Sequence, residues 1–145
     1  GNICRSPSAQ GVFEKLLDAK GLSAQFKVDS AGTHSYHIGH LPDPRSIVAA
    51  SKRGIDLSRQ RARKVESRDF VRFDWIIAMD NDNYHDLLRI CPNTVHSKKV
   101  HKMMDFTVNR HHTEVPDPYY GGTAGFELVL DILTDACHNL LLKIS

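Results

Sequence analysis

Apolar positions along the chain fall into two alternating rhythms. Ala9, Val12, Phe13, Leu16 and Leu17 recur at helical spacing, which predicts a helix with Pro7 at its first position, Ser6 as its cap and an end near Gly21. Residues 26–30 read as a strand. Residues 45–53 read as a helix stopped by Gly54, and residues 75–79 form a continuous apolar run suited to a buried parallel strand. A further helix is expected over 81–89, halting before Pro92, and a short strand over 100–104. Phe126, Val129, Leu130, Leu133, Cys137, Leu140, Leu141 and Ile144 then recur at helical spacing and predict a long closing helix. Such alternation predicts an α/β fold built on a parallel sheet. The first helix has no strand ahead of it, and a strand entering from upstream of Gly1 would complete the first βαβ unit. The expectation is therefore one domain over residues 1–145, N-terminally truncated.

Two stretches break these rhythms. Residues 31–44 carry two glycines, two prolines and three histidines, the mark of a long loop, and a long loop inside a compact domain is usually functional. Residues 111–122 are polar and rich in turn formers. A chain of 145 residues, 41% apolar and 25% charged, suits a single core rather than a disordered protein. The formal charge of +2 comes from scattered basic residues, which argues against nucleic acid or a membrane surface and for a small, local anionic ligand. Cys4, Cys91 and Cys137 are odd in number and far apart, which fits neither a disulfide framework nor paired zinc ligands and points to a reducing cytoplasm. No apolar stretch approaches the ~18 to 20 residues that span a bilayer.

The opening run Gly1-Asn2-Ile3-Cys4-Arg5-Ser6-Pro7 is a tight loop entering a helix, an arrangement that turns several backbone N–H groups toward one anion. Arg5 adds a planar fork able to hold two phosphoryl oxygens. The same residues would also serve as a plain helix cap with a solvated arginine. Near the other end, Pro116 and Pro118 stiffen the backbone around Asp117, ahead of Tyr119, Tyr120 and Gly121. A held carboxyl can protonate a departing phenolate, whose parent pKa lies near 10; the competing reading is a turn opener. His34, His37 and His40 stand three apart in a loop without an acidic or thiol partner nearby, so solvated histidines are expected and no metal or other cofactor is assigned.

The run from Gly1 to Pro7 resembles the second part of the signature of the low-molecular-weight protein tyrosine phosphatases: a cysteine, five residues, then Arg-Ser. Asp117-Pro118-Tyr119-Tyr120-Gly121 resembles the acid loop of that family. Val28-Asp29-Ser30-Ala31-Gly32-Thr33, Pro42-Asp43-Pro44-Arg45, Arg61-Ala62-Arg63 and Ala78-Met79-Asp80 match in the same order. The resemblance implies a three-layer α/β/α fold with a four-stranded parallel sheet, phosphatase I-like (flavodoxin-like), whose first strand is absent from this chain. It implies a nucleophilic cysteine two residues before Gly1, a phosphate-binding loop of Gly1, Asn2, Ile3, Cys4, Arg5 and Ser6, and Asp117 as general acid and then base. Cys4 would be the second, protective thiol of the loop. Tyr36, Tyr119 and Tyr120 would wall a slot for an aromatic phosphate, and Asn2, Ser6 and Ser30 would brace the loop. Gln60 stands where many relatives place a histidine of that brace, which makes the rigidity of the loop an open point.

The implied ligands are a phosphotyrosine protein, with a bacterial tyrosine kinase as one partner by analogy, and a phosphate or sulfate ion in the loop. A thiol lowered from ~8.5 to about 5 needs some 5 kcal/mol, of which a helix terminus gives at most ~2; Arg5, the loop amides and a hydroxyl such as Ser6 would give the rest. Rival readings are an arsenate reductase, which needs two more cysteines close together, an arginine phosphatase, and a phosphate-binding remnant without catalysis.

Overall fold

The computed structural model describes residues 1–108, 112–118 and 122–145. Six helices and two strands follow one another along them: α1 (Arg5–Ala19), α2 (Pro44–Ser51), α3 (Asp69–Arg72), β1 (Ile76–Ala78), α4 (Asn81–Ile90), α5 (Thr94–Ser97), β2 (Val100–Lys102) and α6 (Thr123–Ile144), with short 3-10 turns at Ser23–Gln25 and Met103–Phe106. β1 and β2 pair in parallel, Ile76 opposite Val100 and Ala78 opposite Lys102. The α/β class is as the apolar rhythm predicts, and the sheet among the described residues has two strands. Residues 26–30 are not part of it: past the turn, the backbone makes one parallel bridge, Gly32 to Lys64.

Alternation along β1 divides the core. Ile77 joins the apolar cluster of α1, α2 and α6, whereas Ile76 and Ala78 join Val65, Phe70, Leu87 and Val100 under α4, as a period of two requires of a strand covered on both faces. Along α6, Val129, Leu130, Leu133, Ala136, Cys137, Leu140 and Leu141 are all buried, and α1 packs against it through Val12, Phe13 and Leu17. Asp43 caps α2 by accepting from the Arg45 N–H, with Pro44 at the first helical position, and Asp80 caps α4 through the Asn83 N–H.

The start of α1 differs from expectation. The helix begins at Arg5, two residues earlier than Pro7, and its cap position is Cys4, whose side chain makes no capping bond. Ser6 lies inside the first turn, where its hydroxyl oxygen accepts from Asn2 instead. The first-turn amides are thus left to face the loop rather than a cap.

A charged lock ties the loop at 26–32 to the segment after α2. Arg63 donates to both carboxylate oxygens of buried Asp69, at 2.9 and 3.2 Å, and to Asp29 at 3.1 Å. Burial alone would raise Asp69, but the bonds from Arg63 and from the Glu66 N–H outweigh it and hold the carboxyl below its ordinary value. A depressed folded pKa contributes stability above the unfolded value of about 3.9 that is lost as pH falls through the folded one. Urea unfolding between pH 7 and pH 3 should therefore show an acid limb that flattens in Asp69→Asn; an equally steep limb in the variant would place the acid sensitivity elsewhere.

Candidate active site

The loop ahead of α1 is shaped by Asn2. Its φ of 65° is the one positive value outside glycine among the described residues, a region that asparagine tolerates and most side chains do not. The side chain is buried and fully used: Nδ2 donates to Ser6 Oγ at 2.7 Å and to Ser30 Oγ at 3.0 Å, while Oδ1 accepts from the Arg63 N–H at 3.2 Å. Gly32 packs directly on the loop, where a Cβ would sit 3.0 Å from the carbonyl carbon of Gly1 and 3.2 Å from the Asn2 nitrogen. Backbone contact at that distance leaves no room for a side chain.

Gln60, the residue that departs from the family pattern, does reach this brace. Its Nε2 donates to the Pro7 carbonyl at 3.0 Å, and its Oε1 lies 3.5 Å from Ser30 Oγ. An amide therefore reaches the loop from the position where an imidazole was expected.

Arg5 connects the loop to the far end of the chain. Its Nη1 donates to Asp80 Oδ2 at 2.7 Å and to the Val115 carbonyl at 2.9 Å. Val115 is itself held on the end of β1 by its N–H bond to the Met79 carbonyl. Two residues later Asp117, exposed, lines the same cavity as Gly1, Ile3, Arg5 and Tyr36. Tyr36 is 76% exposed and its ring stacks on that of His34, with centroids 5.4 Å apart. Tyr119 and Tyr120, expected at the cavity mouth, lie outside the described residues.

The thiols divide cleanly. Cys4 is buried beneath the loop, and burial pushes it up to about 11; the same effect pushes Cys137, between α1 and α6, up to about 12. Both are neutral thiols at physiological pH. Cys91 donates to the Asn93 carbonyl beyond α4, and all three cysteines are free. His34 lies 3.7 Å from Asp86, and the rings of His37 and His40 are 5.8 Å apart. Among the described residues no three His, Cys, Asp or Glu side chains come together as a metal site.

Asp80 was not singled out for a role by sequence reasoning, although it carries the end of the Ala78-Met79-Asp80 match. Its double use, capping α4 and holding Arg5, appears only when β1 places it beside the loop.

The cavity of about 730 Å³ runs from the loop inward between β1 and residues 26–30, where Phe13, Val28, Ile77, Leu140 and Ile144 form its walls. The loop, the arginine and the carboxylate thus share one opening, with an apolar cleft behind it.

The profile of the low molecular weight phosphotyrosine protein phosphatases matches residues 1–145. The low molecular weight phosphotyrosine protein phosphatase of Schizosaccharomyces pombe is 39% identical over 146 residues, covering 100% of this chain and 92% of the relative. A protein tyrosine phosphatase from Entamoeba histolytica, solved with Hepes in the active site, is 49% identical with a TM-score of 0.95 over 99% of this chain and 91% of that one. Wzb of Vibrio vulnificus in complex with benzylphosphonate is 25% identical with a TM-score of 0.83, covering 99% and 92%. The chain belongs to the low molecular weight phosphotyrosine protein phosphatase family.

Replacing Asp80 by Asn keeps a residue able to cap α4 but removes the charge that orients Arg5. Calorimetry should then find inorganic phosphate bound about tenfold more weakly, with the helix content unchanged. An unaltered affinity would mean that Val115 alone positions the guanidinium.

Proposed function

We propose that the protein hydrolyses phosphotyrosine in proteins by a two-step displacement through a cysteinyl phosphate. The observation that carries this reading is the double tie of Arg5 Nη1, to Asp80 and to Val115, beside an opening lined by both the loop ahead of α1 and Asp117. The Nε and Nη2 edge of the guanidinium is left for two phosphoryl oxygens, and the amides of the loop and first turn of α1 serve the remaining charge.

The nucleophile in this reading is a cysteine two residues before Gly1, at the end of a strand seated in the apolar cleft. Two features support that seat. β1 pairs on one edge only among the described residues, and the cleft beside its other edge is walled by Phe13, Val28, Ile77 and Leu140, the surroundings a buried parallel strand needs. With residues 26–30 on its far side, the sheet would count four parallel strands between two layers of helices.

In the first step the thiolate attacks phosphorus, the bond to the phenolic oxygen breaks, and Asp117 gives that oxygen its proton. In the second, Asp117 takes a proton from water, the water oxygen attacks phosphorus, the P–S bond breaks and inorganic phosphate leaves. Tyr36 stands at the rim as a wall for the aromatic ring, in keeping with the aromatic phosphonate held by the Vibrio vulnificus relative. Cys4 is set apart from the nucleophile by its burial. An arsenate reductase would require two nearby resolving thiols, whereas Cys137 is buried against α1 and Cys91 sits past the end of α4.

In protein carrying the upstream cysteine, Asp117→Ala should slow phenyl phosphate turnover by about 10²- to 10⁴-fold while inorganic phosphate still competes. Arg5→Lys should impair both binding and rate, because a point charge cannot reproduce the bidentate fork. Full turnover in the Asp117 variant would remove it from the mechanism.

A further inference from the structure

The segment that carries Asp117 is pinned at two consecutive residues. Val115 bonds to the Met79 carbonyl through its N–H and to Arg5 through its carbonyl. One residue earlier, Glu114 Oε2 accepts from the Asn81 N–H at 2.7 Å. Asn81 opens α4, and its amide is among the first-turn donors that a helix cannot satisfy from within. The Asp80 cap takes the Asn83 N–H, so the acceptor for Asn81 comes from Glu114, 33 residues further along the chain. The helix dipole favours a carboxylate there, in addition to the hydrogen bond itself. The same turn holds two other parts of the opening: Asn83 Nδ2 donates to Thr33 Oγ1 at 3.1 Å, and Asp80 accepts from Arg5. The first turn of α4 thus joins the arginine, the loop that leads to Tyr36 and the Asp117 segment.

We propose that Glu114 is a positioning residue for the general acid: anchored on the first turn of α4, it fixes the direction in which its segment presents the Asp117 carboxyl to the departing phenolic oxygen. The inference rests on the phosphatase reading given above. Little freedom remains between the anchor and the acid. Pro116 and Pro118 fix their own φ and favour extended conformations at Val115 and Asp117, the residues before them. Pro118 is buried against the first turn of α6, where a Cβ on Gly125 would lie 3.5 Å from the proline Cβ. An orientation set at Glu114 is therefore carried to Asp117. Without the Glu114 tie, Val115 would remain as a single pivot between the core, where its side chain is buried, and the opening. Glu114 touches neither substrate nor nucleophile, and its effect passes entirely through Asp117.

The test compares two aryl esters in protein carrying the upstream cysteine. Phenolate leaves only with help from an acid, whereas p-nitrophenolate needs far less protonation, so a misplaced acid costs more on phenyl phosphate than on p-nitrophenyl phosphate. Glu114→Ala should lower kcat/KM about tenfold on phenyl phosphate, the effect of one lost charge-assisted hydrogen bond, and clearly less on the nitrophenyl ester. Glu114→Gln, whose amide oxygen can still accept from the Asn81 N–H, should keep most of the parent rate. In an Asp117→Ala background, Glu114→Ala should cost nothing further, and calorimetric affinity for inorganic phosphate should match that of the parent. The proposal is overturned by an unchanged rate in Glu114→Ala, by equal losses on the two esters, or by a further loss in the Asp117→Ala background. Weakened phosphate binding, or a Glu114→Gln protein as impaired as Glu114→Ala, would overturn it as well. A parent that turns over neither ester refutes the phosphatase reading and this role with it; a parent active on both that fails any of these comparisons refutes the role of Glu114 alone.

Discussion

A single asparagine side chain holds the loop ahead of α1 in shape. Asn2 keeps its backbone in the left-handed region, a conformation that costs a residue with a Cβ about 1 kcal/mol or more. Buried as it is, it offsets that cost with three hydrogen bonds to Ser6, Ser30 and the Arg63 N–H. Those three partners come from α1, from the loop ahead of the Gly32 bridge and from the segment after α2. The loop is therefore closed only when the elements around it are packed, and Gly32 lets the packing come close enough. The Arg63–Asp69–Asp29 lock has the same logic one layer out: it fixes the backbone whose N–H group Asn2 reads.

The second half of the site depends on a different tie. Val115 carries Asp117 into place by bonding at once to β1, through its N–H to Met79, and to Arg5, through its carbonyl. Arg5 thus anchors the Val115 segment with Nη1 alone, and in the phosphatase reading its remaining edge is the part that would meet the anion. Asp80 fixes that tie, with a carboxylate oxygen 2.7 Å from Nη1. The geometry explains why an arginine stands here, since a lysine lacks a second edge.

Much of this was legible in the residues themselves. The helical rhythm of α6, the buried run at β1, the loop over 31–44 and the stops at Gly21 and Gly54 all follow from local spacing and from glycines that take positive φ. The family was legible in the motifs from Gly1 to Pro7 and around Asp117. What spacing could not reveal is whatever depends on direction across the chain. The start of α1 was misplaced because Ser6 looks like a cap when only neighbours are considered, yet its oxygen is claimed by Asn2. The strand expected at 26–30 has the composition for pairing, but composition does not supply a partner, and the described sheet runs only from β1 to β2. Short helices such as α3 and α5 have too few turns to leave a periodic trace. Asp80 escaped notice for a related reason: it acts through a contact that the fold creates, 75 residues away in sequence.

The environment of Cys4 shows why a loop of this kind can hold two thiols with opposite behaviour. A thiol is made reactive by stabilising its anion, and Cys4 receives the reverse treatment: it is 6% exposed, and burial pushes it up to about 11. Arg5, the next residue, directs its guanidinium toward Asp80 and Val115. In the phosphatase reading the first-turn amides of α1 serve the other side of the loop, where the proposed nucleophile and the phosphoryl group would meet. A thiol there would gain from amide hydrogens, from the guanidinium and from a hydroxyl donor, each adding a part of the roughly 5 kcal/mol that separates a resting thiol from a thiolate nucleophile. In the phosphatase reading the loop would thus sort two cysteines by the side of the backbone they occupy, with the positive φ at Asn2 turning the chain between those sides.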